Sequence, residues 1–245
     1  MALVMGIVNI TPDSFSDGGK YCTPEEAVRR MRNLISEGAD IIDIGAESTR
    51  PGAVPISWEE EWSRLEPVLK DAFPRFQGSV PISIDTYHPE TARLAIKYGI
   101  GIINCVYPDP VGEMLGIISE NPSVELVVPA SSWGQTPLLE SMASRIFIDP
   151  MIGFGTTREE DMELLRSIPA LAKKARVLVG ASRKRLVKKL TGEKVTGKNL
   201  GGNLAIAIWA AMNGATAVRV HDVRETVQAL KVVEAISGAG KGAST

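Results

Sequence analysis

The fold is decided by a stretch near the start of the chain, Met5-Gly-Ile-Val-Asn-Ile-Thr-Pro-Asp-Ser-Phe-Ser-Asp-Gly-Gly19. Its first residues continue an apolar run from Leu3 to Val8 that is typical of a buried strand, and this run stops at Asn9. The polar segment that follows contains one aromatic residue, Phe15. A buried strand that leads into a long polar loop is how an α/β enzyme presents catalytic groups at the carboxyl end of its sheet, although a solvated connection would have the same composition.

Further short, β-rich runs follow, and stretches with helical character separate them. They are Asp40–Gly45, Pro81–Asp85, Gly101–Asn104, Val124–Val128, Arg145–Asp149, Arg176–Gly180 and Ala217–His221. The first helical stretch begins at Thr23-Pro24-Glu25-Glu26, which supplies an N-cap, a first-turn proline and early acids, and it ends at Gly38. Between strands five and six there is room for only about two helical turns, at 138–143. Eight alternating units predict a single-domain (β/α)8 TIM barrel over residues 1–237, with a flexible tail at 238–245.

Composition narrows the classes of partner. The 245 residues are 44% hydrophobic and 23% charged, as in ordinary globular proteins. The net charge of −2 gives no basic field, which argues against a nucleic-acid partner. The apolar start is too short for a secretory signal or a membrane span, and Cys22 and Cys105 are too few for a disulfide framework. A cytoplasmic enzyme that acts on small molecules is therefore expected, without a membrane partner.

Polar residues stand at the carboxyl ends of the predicted strands. Because these ends meet at one face of a parallel barrel, we expect their side chains to form one site. Polar groups beside a packed core must find partners, so solubility explains the pattern poorly. The set comprises Asn9, Glu47–Arg50, Asp85, Asn104, Asp149, Ser182–Lys184, Arg219 and His221.

One group in this set suits a heterocycle. The carboxylates of Asp85 and Asp149 can pair with adjacent N–H donors on an amino-lactam or guanidine-like edge, and Asn104 can donate and accept beside them. The alternative, that these carboxylates bond to local helix N-termini, stays open. His88 precedes Pro89 at the start of a helix and is interpreted as a surface residue.

The other group is cationic or nearly so and suits an anion: Arg50, Lys184, Arg219 and His221, with Asn9 alongside. Arg219 and His221 are two residues apart on one strand and so point to the same face, and phosphate binding beside strands seven and eight recurs in such barrels. Lys184 could instead be a solvated member of the basic run at residues 183–185. For Arg183, a solvated position is the preferred interpretation. A heterocycle at one end and a polyanion at the other predict group transfer from a phosphorylated heterocycle. Asn9 could then offer one oxygen to Mg²⁺, with substrate phosphates supplying others.

These motifs resemble a known family. The stretch quoted at the outset and a second one, Asp40-Ile-Ile-Asp-Ile-Gly-Ala-Glu-Ser-Thr-Arg-Pro-Gly52, closely resemble the first two signatures of dihydropteroate synthase. Shorter matches follow in order at Ile82–Thr86, Ile102–Asn104, Asp149–Pro150, Gly153–Gly155, Val179–Lys184 and Val218–Val223. The resemblance implies a pterin-binding barrel, usually a homodimer. Such an enzyme joins 6-hydroxymethyl-7,8-dihydropterin diphosphate to p-aminobenzoate, releasing diphosphate and giving 7,8-dihydropteroate for folate biosynthesis.

The resemblance also implies roles for single residues. The pterin would be held by Asp85, Asn104, Asp149 and Lys184, of which Asp85, Asp149 and Lys184 are the catalytic candidates. The diphosphate would be held by Asn9, Thr49, Arg219 and His221, with Asn9 acting through Mg²⁺. The p-aminobenzoate pocket and the loops that close over it would include Phe15, Thr49, Arg50, Pro51, Phe154 and Arg185. Sulfonamides, which mimic p-aminobenzoate, are expected inhibitors.

The chain departs from the family pattern around strands four to six. Cys105–Pro108 stands where the family usually has Asp and a Val-Ser-Gly-like turn, and Pro129 stands where a His-Met pair usually ends strand five. Met151 replaces a Gly, Thr156 a Lys and Arg185 a Ser. Two alternatives to an active dihydropteroate synthase therefore stay open: a related enzyme with a different nucleophile or pterin, and a catalytically silent pterin-binding paralogue. Retention of both loop motifs favours the active enzyme.

Overall fold

The computed structural model describes residues 1–11, 23–48, 53–195 and 197–238. Within these ranges, eight parallel strands pair in chain order and close on themselves, with β8 beside β1. The predicted (β/α)8 barrel is thereby confirmed. The strands are β1 (Leu3–Asn9), β2 (Ile41–Gly45), β3 (Ile82–Asp85), β4 (Ile102–Asn104), β5 (Glu125–Pro129), β6 (Ile146–Asp149), β7 (Arg176–Val179) and β8 (Ala217–Val220).

Helices surround the barrel. They are α1 (Pro24–Ser36), α2 (Trp58–Phe76), α3 (Pro89–Ile96), α4 (Val111–Glu120), α5 (Pro137–Ser141), α6 (Arg158–Ala172), α7 (Arg185–Thr191), α8 (Leu200–Met212) and α9 (Val223–Ser237). The β5–β6 connection contains only the short α5 between two 3₁₀ turns, as its length predicts, whereas two helices lie between β7 and β8. In the described residues, no helix combines the length and the apolar character needed to cross a bilayer.

The predicted start of α1 is built as its sequence indicates. The Thr23 side chain accepts a hydrogen bond from the Glu26 backbone N–H, and the Glu26 carboxylate accepts one from the Thr23 N–H. This reciprocal cap satisfies two of the donors that a helix N-terminus leaves free. After the helix, Gly38 adopts φ +98°, a conformation that favours glycine. The chain is thus turned into β2 within four residues of the end of α1.

The barrel interior has two layers. An apolar layer is formed by Met5, Ile41, Ile102, Val127, Phe147, Leu178 and Ala217. Side chains two positions along a strand face the same side, so the next interior layer up includes polar residues from four of these strands. Those residues are Asp43, Asn104, Asp149 and Arg219. The candidate site therefore stands directly on an apolar floor.

The last helix of the barrel is α9, and Gly238 follows it with φ +70°. Residues 239–245 lie outside the described part of the chain. The flexible tail at 238–245 stays a prediction.

Candidate active site

The centre of the polar layer is the guanidinium of Arg219. Its Nε donates to Asp43 Oδ2 at 2.6 Å and its Nη2 donates to Asp85 Oδ2 at 2.7 Å. Asp43 is fully buried, whereas the Asp85 side chain keeps 14% of its exposure. Burial raises the pKa of Asp85, and the charge of Arg219 opposes that rise. Strands β2, β3 and β8 are therefore joined across the barrel by one cation and two carboxylates.

Asp43 is a site residue that sequence reasoning missed. Its Oδ2 also accepts from Asn104 Nδ2 at 3.2 Å, so one buried oxygen holds both an arginine and an amide. Its other oxygen, and the Oδ1 of Asn104, have no hydrogen-bond partner among the described residues. A usable signal was present, because a charged residue in the middle of a fully buried strand needs a partner. Asp43 lies on the same strand face as Ile41, which points into the barrel.

Two glycines leave room above this layer. A Cβ at Gly180 would lie 3.8 Å from Asp149 Oδ2 and 3.8 Å from Arg219 Cβ. A Cβ at Gly45 would lie 3.4 Å from Asp85 Cβ and 3.8 Å from the side-chain oxygen of Asn9. Asn9 thus lies next to Asp85 around Gly45, and Asp149 lies next to Arg219 around Gly180. A larger side chain at either glycine would fill the space above the polar layer.

Asp149 and Lys184 lie on the β6–β7 side. Asp149 Oδ1 accepts from the Met151 N–H at 2.7 Å, and burial raises the pKa of this carboxyl. Lys184 Nζ donates to the Ile152 carbonyl at 2.6 Å and lies 4.0 Å from the centre of the Phe154 ring. Burial lowers the pKa of Lys184 to about 8, and the charge of Asp149 opposes this. A lysine held against a carbonyl and a ring is not the solvated residue of a basic run.

His221 is bound by a hydroxyl. Its Nδ1 lies 3.1 Å from Ser182 Oγ, and its backbone N–H donates to the same oxygen at 3.3 Å. Burial lowers the pKa of His221 to about 3, and the charges of Arg183 and Arg219 act in the same direction. The lowered pKa favours the neutral imidazole over the cationic form. It can offer a hydrogen bond to an anion, but no charge.

Arg183 is also not the solvated residue that was expected. Its guanidinium pairs with Asp222 at 2.5 Å, and its backbone N–H donates to Asn203 Oδ1 at 3.0 Å. The residue has φ +61°, in the left-handed region that a residue with a Cβ seldom adopts. Contacts from α8 and from the end of β8 therefore hold the turn in which Ser182 and Lys184 lie.

His88 is half-buried, so the expectation of a surface residue is wrong as well. Its side chain is 17% exposed, and its ring packs 4.2 Å from the ring of Tyr87. Its Nε2 faces Glu47 Oε2 at 3.6 Å. His88 is less exposed than expected because the carboxylate of Glu47, which follows β2, lies beside it at the start of α3.

Four of the predicted residues, Phe15, Thr49, Arg50 and Pro51, lie outside the described residues. Of the remaining members of the predicted p-aminobenzoate pocket, Phe154 is half-buried beside Lys184 and Arg185 is exposed. Arg185 Nη2 donates to the Thr156 carbonyl at 2.7 Å. This hydrogen bond joins Arg185 to the loop that follows β6, and the same loop contains Phe154.

Packing and hydrogen bonds accommodate the departures from the family pattern. The Cys105 thiol is buried and donates to the Tyr107 carbonyl at 3.3 Å, and burial raises its pKa to about 12. Thr156 Oγ1 donates to Asp161 at 2.5 Å, which ties the loop after β6 to α6. Met151, where the family has glycine, adopts φ +67°. These substitutions line or support the site without adding a charge to its floor.

Among the described residues, no group of three or more His, Cys, Asp or Glu side chains is arranged to hold a metal ion. Mg²⁺ seldom needs such a cage, because it commonly keeps several waters and binds one or two protein oxygens together with substrate phosphates. The amide oxygen of Asn9, beside Gly45 at the mouth of the barrel, fits that mode of binding.

Comparison with known proteins points in one direction. Residues 5–137 and 139–221 match the family described as "Pterin binding enzyme". The dihydropteroate synthase of Neisseria meningitidis serogroup C is 38% identical over 263 residues, which cover 95% of this chain and 92% of the relative. The solved structure of Xanthomonas albilineans dihydropteroate synthase with 4-aminobenzoic acid is similar at 37% identity and a TM-score of 0.83, covering 96% of this chain and 93% of that one. The enzyme from that organism in complex with 7,8-dihydropteroate is similar at 35% identity and a TM-score of 0.80, with 96% and 94% covered.

Proposed function

The chain belongs to the dihydropteroate synthase family of pterin-binding enzymes, and we infer that it condenses 6-hydroxymethyl-7,8-dihydropterin diphosphate with p-aminobenzoate. The products are 7,8-dihydropteroate and diphosphate, so the protein is a transferase of folate biosynthesis. The observation that carries this function is the buried layer of carboxylate, amide and cationic groups at the carboxyl ends of the strands. It combines acceptors for an amino-lactam edge with donors for an anion.

For the pterin, we propose Asp85, Asn104, Asp149 and Lys184. The two carboxylates would accept from the ring N–H groups, and Asn104 would donate and accept beside them. Three observations support this assignment: both Asp149 and Asn104 are buried, Asn104 keeps an unpartnered side-chain oxygen, and Lys184 is held next to an aromatic ring. Lys184 would place an N–H donor at the edge of the ring.

For the diphosphate, we propose Arg219, His221, Thr49 and Asn9. Arg219 would supply the positive charge, and the neutral imidazole of His221 would supply a hydrogen bond. Asn9 would hold Mg²⁺ with one oxygen, and the ion, when bound, would neutralise charge on the phosphates. Arg219 is already bonded to Asp43 and Asp85, so this role requires that its guanidinium keep at least one carboxylate while it meets the anion.

The proposed reaction breaks the bond between the pterin methylene and the diphosphate before the arylamine attacks. Arg219 stabilises the charge that develops on the leaving diphosphate, while Asp85 and Asp149 stabilise the cationic methylene and the electron-rich pterin that bears it. Because the methylene is then strongly electrophilic, the weakly basic amine of p-aminobenzoate attacks without a strong general base. Water would capture the same cation, so the site must be closed during turnover. Phe154 and Arg185, with residues 15 and 49–51, would line the p-aminobenzoate pocket, and sulfonamides would compete there.

We further propose that the protein is a homodimer built on α8. Helix α8 is apolar on nearly all sides, and one of its faces exposes Trp209 to 48% and Met212 to 66%. On the neighbouring α9, Val232 is 58% exposed and Ile236 is 80% exposed. An apolar surface shared by two helices favours a second copy of the chain as the occupant, since homodimer interfaces are richer in apolar area than ordinary surfaces. A cytoplasmic location stays a proposal that the low cysteine content favours.

The function is tested by measuring diphosphate release from the pterin substrate with and without p-aminobenzoate. Release that requires p-aminobenzoate, together with formation of 7,8-dihydropteroate, is the expected result. Pterin binding without any release would contradict catalysis and indicate a silent binding protein. Release with a different arylamine only would identify another nucleophile.

A further inference from the structure

We propose that Asp161 is a positioning residue: by fixing one peptide unit of the loop after β6, it holds Lys184 in place at the candidate active site. The inference rests on the function proposed above, in which Lys184 binds the pterin. Asp161 belongs to helix α6, outside the set assigned to the substrates, and it is buried. A buried carboxylate needs hydrogen-bond donors, and the loop after β6 supplies them.

One oxygen of Asp161 holds this loop. Asp161 Oδ1 accepts from the Gly153 backbone N–H at 2.7 Å and from Thr156 Oγ1 at 2.5 Å. The Gly153 N–H also donates to Thr156 Oγ1 at 3.1 Å, so the three groups form a closed triangle. The backbone N–H of Asp161 donates to the Thr157 carbonyl at 3.0 Å, within the first turn of α6. The loop is therefore fastened to the start of a helix.

The peptide unit between Ile152 and Gly153 connects Asp161 to the lysine. Its N–H is the one that donates to Asp161, and its carbonyl, which is that of Ile152, accepts from Lys184 Nζ at 2.6 Å. The N–H and the carbonyl of a trans peptide point in opposite directions, so the direction of one determines that of the other. Reversal of this peptide unit would turn the carbonyl away from the lysine.

The turn around this peptide unit has two accessible forms. Residues 151–154 form a turn that is closed by a hydrogen bond from the Phe154 N–H to the Met151 carbonyl at 3.3 Å. Gly153, its third residue, has φ +80°, as a type II turn requires. A type I turn differs by reversal of the central peptide and has a φ of about −90° at the third residue, which glycine also adopts readily. The bond to Asp161 therefore selects the form whose carbonyl faces Lys184.

Lys184 contacts this loop along most of its side chain. A Cβ at Gly153 would lie 2.9 Å from Lys184 Cδ, so the methylenes of the lysine pack directly against the glycine. Lys184 Nζ lies 4.0 Å from the centre of the Phe154 ring. The amine carries three N–H donors, of which the Ile152 carbonyl takes one. Two donors remain for a ligand, and the bond to the carbonyl sets their direction.

The protonation of Lys184 reports on this arrangement. Burial lowers the pKa of Lys184 to about 8, and the charge of Arg219 acts in the same direction. The carboxylates of Asp149, Asp85 and Asp161 oppose this from β6, β3 and α6. Loss of the charge of Asp161 should therefore lower the pKa of Lys184 further, and loss of the contact to the carbonyl should add to that change.

The test compares two variants of Asp161 in the full chain with a matched control, Glu160→Ala. Glu160 lies in the same turn of α6, but its carboxylate binds the N–H and the hydroxyl of Thr157. In Asp161→Ala, the calorimetric Kd for the pterin diphosphate at pH 6 should rise about tenfold, as expected for loss of a hydrogen bond to a charged group. In Asp161→Asn it should stay near the wild-type value, because the amide oxygen can still accept from Gly153. Glu160→Ala should not change it.

A titration of Lys184 in the ligand-free protein gives a readout that involves no substrate. The NMR signal of its Cε, in the chain with isotopically labelled lysine, can be assigned by its absence from Lys184→Arg. This signal should titrate at a lower pH in Asp161→Asn than in the wild type, and at the lowest pH in Asp161→Ala. Thr156→Val, which removes only the hydroxyl of the triangle, should raise the pterin Kd about threefold and serves as the test if Asp161→Ala does not fold.

Three outcomes would overturn the inference while the function stands. The first is a Lys184 titration that is the same in the wild type and in both Asp161 variants. The second is a pterin Kd that is unchanged in both Asp161→Ala and Thr156→Val. The third is a Kd in Asp161→Asn as weak as in Asp161→Ala, since the charge and not the hydrogen bond would then matter. A wild-type chain that forms no 7,8-dihydropteroate would overturn the function, whereas the Lys184 titration would still decide whether Asp161 positions the lysine.

Discussion

Asp43 offers the sharpest test of the polar layer, because one of its oxygens binds both Arg219 and Asn104 inside a fully buried strand. In Asp43→Ala both donors lose their acceptor, and removal of one partner of a buried, charged pair costs about 3–5 kcal/mol. In Asp43→Asn the amide oxygen can still accept, so the loss falls to the difference between a charged and a neutral acceptor, about 1–2 kcal/mol. For a chain of this length, each kcal/mol corresponds to a change in Tm of about 2–4 °C.

Thermal unfolding followed by circular dichroism should therefore give a decrease in Tm of about 10 °C for Asp43→Ala and about 4 °C for Asp43→Asn. The control is Asp71→Ala, which removes a pair of the same chemistry at 2.8 Å from Arg75 on the exposed face of α2. Such a surface pair contributes less than about 1 kcal/mol. If Asp43→Ala shifts the Tm no more than Asp71→Ala does, the buried pair does not stabilise the barrel and the reasoning fails.

Three further outcomes are expected. Burial raises the pKa of Glu61 from 4.5 to about 7, so its contribution to stability is fully present below pH 4.5 and is lost as pH rises to about 7. At pH 8 the free energy of unfolding of Glu61→Gln should therefore exceed that of the wild type by about 3 kcal/mol, and the variant should unfold at a higher temperature. A variant that is less stable than the wild type at pH 8 would contradict the raised pKa of Glu61. In calorimetric titrations, Lys184→Ala should lose affinity for the pterin and Arg219→Ala should lose affinity for the diphosphate. If both variants weaken only the binding of p-aminobenzoate, the division of the site into a pterin end and a diphosphate end is wrong. If the protein is the proposed dimer, Trp209→Glu should give a monomer in analytical ultracentrifugation with the barrel still folded. An unchanged sedimentation coefficient would exclude α8 as the interface.

The barrel could be predicted because its signals are local. Apolar runs separated by helical patterns indicate the strands, and the cap at Thr23 and the glycine at Gly38 indicate where α1 begins and ends. Each of these signals depends on neighbouring residues only. The short α5 was predictable for the same reason, since the length of the connection limits the helix that it can contain.

The side-chain contacts of the site were less predictable, because they depend on residues far apart in sequence. Arg183 was expected to be solvated, but Asp222 pairs with it from a position 39 residues away. His88 was expected on the surface, but a carboxylate from the β2 connection faces it. Asp43 was missed because it lies inside β2, two residues before the strand ends, although its side chain shares a layer with Asn104, Asp149 and Arg219. Sequence periodicity shows which face a residue occupies, but it does not show which residue from another strand will meet it.

The bond between Arg219 and Asp85 has a consequence for substrate exchange. A guanidinium and the amino-lactam edge of a pterin both present adjacent, coplanar N–H groups, so Arg219 offers Asp85 the same kind of donor that the pterin would. The charge of Arg219 opposes the rise in the pKa of Asp85 that burial causes, and the hydrogen bond keeps the carboxylate aimed at a planar donor. If Asp85 holds the pterin as proposed, an arriving pterin would take over this contact, and the displaced nitrogen of Arg219 would become available to the diphosphate that arrives with it. Under that assignment, binding at the pterin end of the substrate would release the group needed at the diphosphate end.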